Sequence, residues 1–270
     1  MFMNLTVESH DAGWVERALE LLTAQGLVIV PGILSETERR RARAAVKRAE
    51  SGLRQEIGDE RLTRDAGEFG GELRLLMKYD PLFFDLLAHP AAVAILDRYL
   101  DPSAVLRFQN GLVIRAGRHE PGSWHMNFRR VLNGYRAALE IVMAIDDMDG
   151  PEFLFAFSSH QRLDPADPAL LERTAQPVPM PAGSMMAFDS TLWHRQGAAE
   201  TVTDRLLVTH QFTRHFFKPH FDFVRALGED VVRALPPRTR RLLGWESRVP
   251  ASLEEFYDDP VVRRYLPNQG

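Results

Sequence analysis

From residue 104 to residue 214 the chain breaks into short segments of β-branched or alternating apolar residues, at 105–115, 122–127, 137–146, 152–157, 184–189 and 205–214, divided by Gly, Pro and Asp turns. Alternation with period two buries one side of a strand, and a series of short strands punctuated in this way forms a sandwich or barrel. Helical periodicity lies on either side of that region. Trp14, Ala18, Leu21 and Leu22 recur at helical spacing until Gly26 stops them, and 27–30 reads as a short buried strand. Ser35 with Glu38 forms a capping box for a helix to about residue 48, whose basic surface reads as a solvated face. Residues 50–71 are polar and read as a loop or lid, and Pro81 and Pro90 open helices ending near 87 and 100. Helical character returns at 223–227, 230–235 and 238–243. With no linker-like stretch, the expectation is one domain over 1–270: a mainly helical layer over 1–103, a β-core over 104–216 and a helical cover over 217–270.

Composition narrows the chemistry. Lys plus Arg number 33 against 37 Asp plus Glu, a net charge of −4, so no overall field attracts nucleic acid or an anionic membrane, and neither is an expected partner. The absence of cysteine removes disulfides, thiolate metal sites and a cysteine nucleophile, leaving His, carboxylate or amide groups for any metal. The N-terminal stretch lacks a basic region followed by an apolar one, and no apolar run approaches the ~18 residues of a membrane span. A cytoplasmic location is the expectation.

In Ser123-Trp124-His125-Met126-Asn127-Phe128, His125 and Asn127 stand two apart on a predicted strand and so point to one face. His194 ends another predicted strand, and Arg205 follows eleven residues later. Along 205–214, Arg205, Leu207, Thr209 and Gln211 share one face, while Leu206, Val208, His210 and Phe212 share the other. Two histidines and one short oxygen ligand cap one face of an octahedron and leave three positions open, the arrangement of non-haem Fe(II) oxygenases. A 2-oxo acid fills two of those positions and O2 the third, and an arginine forking onto its far carboxylate would anchor it; Arg205 fits that role. Taken alone, His-x-Asn on a strand is equally the pattern of a hydrogen-bonded core histidine.

The order of these segments resembles the phytanoyl-CoA dioxygenase family of Fe(II)/2-oxoglutarate oxygenases, which also includes ectoine hydroxylases and non-haem halogenases. Gly26-Leu27-Val28-Ile29-Val30-Pro31-Gly32 before a capped helix is similar to the family's opening, and Trp124-His125-Met126-Asn127 to its first metal motif. Asp149-Gly150 through Ser158-Ser159-His160, and Pro181-Ala182-Gly183-Ser184 through Phe188-Asp189-Ser190 to His194 and Arg205, resemble its later segments, as Leu235-Pro236-Pro237 to Leu243-Gly244-Trp245 resembles its ending.

The resemblance implies a double-stranded β-helix (jelly-roll, cupin-type) core and the cofactors Fe(II), 2-oxoglutarate and O2. It makes His125 and His194 iron ligands, Arg205 the 2-oxoglutarate anchor, and Gln109 an amide touching the same cosubstrate. The implied activity is hydroxylation of a small-molecule C–H bond; halogenation, desaturation and cyclisation are alternatives on the same fold. Asn127 departs from the pattern, since the family's hydroxylases carry aspartate there and its halogenases a small residue. Three readings stay open: a natural amide ligand in an active enzyme, an Asp→Asn exchange made to trap a complex, or a barrel that binds a small molecule without iron chemistry. Phe128 and Arg129 beside the motif are candidate substrate contacts, with Arg129 and Arg130 either a clamp for an anionic substrate or a salt-bridged strand end. His160, His210, His215, His220 and Asp189 read as structural, and Met180, Met185 and Met186 as core or pocket filler.

Overall fold

Helix α1 (Trp14–Ala24) stops at Gly26, whose φ of +91° disfavours side chains and where a Cβ would lie 2.7 Å from both His160 and Leu192. Strand β1 (Leu27–Val30) follows. The capping box at Ser35 and Glu38 is formed and opens α2 (Glu36–Ile57), which continues into α3 (Asp59–Arg64). The computed structural model describes residues 4–64, 71–128, 134–161 and 167–259. Next come β2 (Glu72–Arg74), α4 (Leu82–Leu87) and α5 (Pro90–Tyr99), the last with its proline in the first turn. The β-region contains β3 (Val105–Ile114), β4 (Gly117–His119), β5 (Ala138–Ala144) and β6 (Phe153–Ala156), then α6 (Pro168–Thr174). It ends with β7 (Ala175–Pro177), β8 (Met185–Asp189), β9 (His194–Gln196), β10 (Ala199–Thr201) and β11 (Arg205–Thr213). Four short helices close the described chain: α7 (Phe223–Leu227), α8 (Glu229–Arg233), α9 (Pro237–Leu242) and α10 (Leu253–Phe256). None of the helices among the described residues is long and apolar enough to cross a membrane.

The strands pair antiparallel into a six-stranded sheet of order β1-β8-β5-β11-β3-β2, a three-stranded sheet β7-β6-β9 and a ribbon β10-β4. This is the jelly-roll core with flanking helices. Strand alternation divides its apolar residues between two cores. Leu139, Ile141 and Met143 of β5, Met185 and Ala187 of β8, and Leu206, Val208 and Phe212 of β11 point outward and pack against the helices. Val142 and Ala144, Met186 and Phe188, and Leu207 point inward, where they meet Phe153 and Phe155 of the smaller sheet. The functional space lies on this inner face.

Two predicted elements differ from what forms. Residues 50–57 and 59–64 are helical rather than a polar loop; 65–70 lie outside the described residues. The stripe that buries α2, Ala42, Ala45, Val46, Ala49 and Leu53, is mostly alanine, so charge outweighs it in the sequence. Tertiary contacts extend the helix: Gly52 gives way to the Tyr79 ring, and Glu56 accepts from the Tyr79 hydroxyl at 2.7 Å. Residues 122–127 form no strand; His125 alone makes an antiparallel bridge, to His194.

Candidate functional site

That bridge brings the two histidines together. Each backbone N–H donates to the other's carbonyl at 3.0 Å, and the imidazoles stand 4.4 Å apart between centroids, tilted by 58°. Both rings are oriented in the same way. Nδ1 of His125 donates to the Ser123 carbonyl at 2.9 Å and Nδ1 of His194 to the Leu192 carbonyl at 2.8 Å. A carbonyl only accepts, so Nδ1 carries a proton in each ring and the neutral tautomer presents its lone pair on Nε2, the outer-shell arrangement typical of metal-binding histidines. Phe155 stacks on His194 at 5.4 Å and Phe188 meets it edge-on at 5.1 Å. Burial, reinforced by the nearby His125, pushes His194 down to about 3, so its imidazole is neutral at physiological pH.

His125, Asn127 and His194 share the wall of a cavity of about 420 Å³ between the two sheets. Val142, Phe153, Phe155, Met186 and Phe188 make it apolar on one side, while Glu72, Asn110, Glu140, Thr209 and Gln196 supply polar groups. Nδ2 of Asn127 donates to Oε2 of Glu140 at 3.1 Å, and Nε2 of Gln211 donates to the same oxygen at 3.2 Å. Glu140 is 2% exposed, and burial pushes its carboxyl up to about 8, with the charge of Glu72 acting in the same direction. At the rim, Trp124 donates to Glu172 at 2.8 Å and the Arg195 guanidinium lies over the Trp124 ring at 5.2 Å.

The remaining predicted site residues are elsewhere. Arg205 starts β11 on the same face as Thr209 but is not on the cavity wall; its Nη1 donates to Glu152 and to Asp149, each at 2.5 Å. Gln109 faces the outer core: its Nε2 donates to the Phe83 carbonyl at 3.2 Å and lies 3.0 Å from Nε2 of His210. Strand parity is the reason, because its neighbours Phe108 and Asn110 take the inward positions. Phe128 is buried beside Ala137 and Ala138, edge-on to Phe217 at 5.1 Å, and is not a cavity residue. Arg129 lies outside the described residues.

The structural histidines behave as expected. His160 bonds the Thr23 carbonyl at 3.1 Å and His210 is buried opposite Arg205's face. Asp189 accepts from the Tyr99 hydroxyl at 2.5 Å and from Thr191. Sequence reasoning missed Glu140. Its signal was present: a single carboxylate inside the otherwise apolar run 137–145.

The family model for phytanoyl-CoA dioxygenase (PhyH) matches residues 22–206. Uncharacterized protein Mb1539 of Mycobacterium bovis and Uncharacterized protein Rv1501 of Mycobacterium tuberculosis are each 42% identical over 266 residues, spanning 95% of this chain and 96% of the relative. Among solved structures, the non-heme alpha ketoglutarate dependent epimerase SnoN from nogalamycin biosynthesis superposes with a TM-score of 0.61 at 20% identity, over 77% of this chain and 85% of SnoN. HygX from Streptomyces hygroscopicus, with nickel and 2-oxoglutarate bound, gives 0.58 at 18% identity over 75% and 88% of the two chains. AviO1 from Streptomyces viridochromogenes Tue57 gives 0.60 at 19% over 76% and 96%.

Proposed function

Because the chain belongs to the phytanoyl-CoA dioxygenase family, we propose that it is an Fe(II)- and 2-oxoglutarate-dependent oxygenase that hydroxylates a C–H bond of a small metabolite. The observation that carries this reading is the facing pair His125 and His194, each with Nδ1 tied to a backbone carbonyl and Nε2 free, beside Asn127 on one cavity wall. That donor set fits a divalent metal: the Nε2 atoms of the two imidazoles and the amide oxygen of Asn127 would hold Fe(II) on one face. Bound there, Fe(II) with O2 and 2-oxoglutarate supplies the oxidising chemistry, and 2-oxoglutarate leaves as succinate and CO2. The 2-oxoglutarate in HygX supports the same cosubstrate here.

The protein's own part is placement and exclusion of water. Backbone bonding holds the imidazoles before any metal arrives. Arg205 would take the far carboxylate of 2-oxoglutarate; its ion pairs to Asp149 and Glu152 both use Nη1, so Nη2 and Nε are the N–H groups that would turn to the cosubstrate. The phenylalanines and Met186 keep one side of the space dry, and about 420 Å³ suits a small molecule. The family's halogenases carry a small residue where this chain has Asn127, which supports the reading as hydroxylation over halogenation.

The test is turnover by the purified protein. With Fe(II) and O2, succinate should form from 2-oxoglutarate, and His125→Ala and His194→Ala should each abolish it. Tight 2-oxoglutarate binding with no succinate under any substrate tried would instead fit a binding barrel.

A further inference from the structure

We infer that Glu140 is the positioning residue of Asn127, fixing which end of its amide faces the two histidines. The inference rests on the metal-site reading above and deepens it. A carboxamide has two unlike ends: the oxygen carries lone pairs that can bind a metal, and the NH2 group only donates hydrogen bonds. An asparagine is therefore a ligand in one orientation and an obstruction in the other. Something must choose.

A directed chain of hydrogen bonds makes that choice. Arg107, which can only donate, gives Nη1–H to Oε1 of Gln211 at 2.8 Å. That fixes the Gln211 amide, whose Nε2 must then point the other way, and it donates to Oε2 of Glu140 at 3.2 Å. Oε2 of Glu140 also accepts from Nδ2 of Asn127 at 3.1 Å. Because Oε2 already accepts from Gln211, it meets Asn127 with a lone pair and any proton on the Glu140 carboxyl sits on Oε1; turning the Asn127 amide over would set oxygen against oxygen and lose the bond, so the orientation is imposed by the chain rather than by the asparagine.

Glu140 is itself immobilised. It sits in the middle of the six-stranded sheet, paired with Gln211 on β11 and Phe188 on β8, and is 2% exposed. The arrangement reaches the backbone on the other side too. The Arg107 guanidinium lies over the Phe128 ring at 5.4 Å, and the Phe128 N–H donates to the Ser190 carbonyl at 2.8 Å, which anchors the residue next to Asn127.

Co(II) binding under anaerobic conditions tests this without turnover, by titration and by the visible ligand-field spectrum. Glu140→Leu keeps the volume but leaves Asn127 free to turn, and should weaken Co(II) binding by roughly 10- to 100-fold with an altered spectrum. Glu140→Gln retains an oxygen that can accept from both amides and should recover most of the affinity and the parent spectrum. In an Asn127→Ala background, Glu140→Leu should change the affinity no further, because Glu140 acts through Asn127; a merely structural role would weaken binding equally in both backgrounds. Should Glu140→Leu fail to fold, Gln211→Leu breaks the same chain one step earlier and should shift the spectrum in the same direction. Parent-like Co(II) affinity and spectrum in these leucine variants would overturn the inference. Co(II) affinity unchanged in His194→Ala would instead overturn the metal-site reading itself, so the two failures are distinguishable.

Discussion

Glu140→Gln should make the metal-free protein more stable at alkaline pH. A glutamate in an unfolded chain titrates near 4.5, whereas burial holds the folded Glu140 carboxyl up at about 8. Between those values the folded protein keeps a proton that the unfolded chain has lost, so raising the pH favours unfolding. The site's contribution is complete below pH 4.5 and is lost as the pH rises through 8. At 1.36 kcal/mol per unit the interval amounts to roughly 5 kcal/mol, and relaxation of the site would reduce this to a few. Glutamine carries no charge at any pH and escapes the loss.

The measurement is urea unfolding in the presence of EDTA, parent against variant, from pH 5 to 8.5. The stability gap should open steadily in favour of Glu140→Gln as the pH rises. Titrations that stay parallel across that range would refute the reasoning, because they would mean that Glu140 is already ionised in the folded protein. Titrating groups other than Glu72, whose charge acts on Glu140, affect both proteins alike and cancel in the difference.

At the acid end the sign reverses: burial holds His194 and His210 at about 3 against 6.5 unfolded, so stability present above pH 6.5 should fall as the pH drops towards 3, and His210→Gln should flatten that limb in urea titrations. Arg205→Ala should weaken 2-oxoglutarate binding by calorimetry, by about 3–5 kcal/mol if the carboxylate is fully buried there; unchanged affinity would remove Arg205 from the anchor role. Gln109→Leu should leave 2-oxoglutarate affinity within about twofold while lowering the melting temperature, since Gln109 bonds Phe83 and faces His210 rather than the cavity. Gly197→Ala should destabilise by more than ~1 kcal/mol in thermal melts, because its Cβ would sit 1.8 Å from the Pro151 carbonyl oxygen beside β9.

How far the chain could be read in advance depended on whether a local rule decided the outcome. The alternation in 205–214 placed the two faces of β11 correctly, whereas the strands at 137–146 and 184–189 are apolar on both sides and show their faces only once packed. The same rule placed Arg205 with Thr209 and His210 away from them. On β3, Gln109 takes the outer face between the inward Phe108 and Asn110, whereas Leu106, of the same parity as Phe108, packs outward, so parity along the segment does not by itself show which side faces the cavity. His125 and Asn127 reach one cavity without a strand beneath them, so the prediction arrived at the right neighbours by an incorrect intermediate. The length of α2 was hidden because Tyr79 and Lys78, more than twenty residues away, hold its last turns through Glu56. Glu140 was overlooked since a lone carboxylate in an apolar strand acquires meaning only once Asn127 and Gln211 are brought against it.

The bridge between His125 and His194 joins positions 69 residues apart in the chain. Closing so long a loop for one isolated bridge is entropically costly, and the pairing of β5 with β11, which spans a similar stretch of chain with a full ladder of bonds, is what offsets it. The two donors are therefore not neighbours in any partly folded chain that lacks the central sheet. A metal ion binding them stabilises the native state against complete unfolding rather than against opening of one edge, so bound metal should slow hydrogen exchange in the amides of β5 and β11 by the same factor as it shifts the global equilibrium.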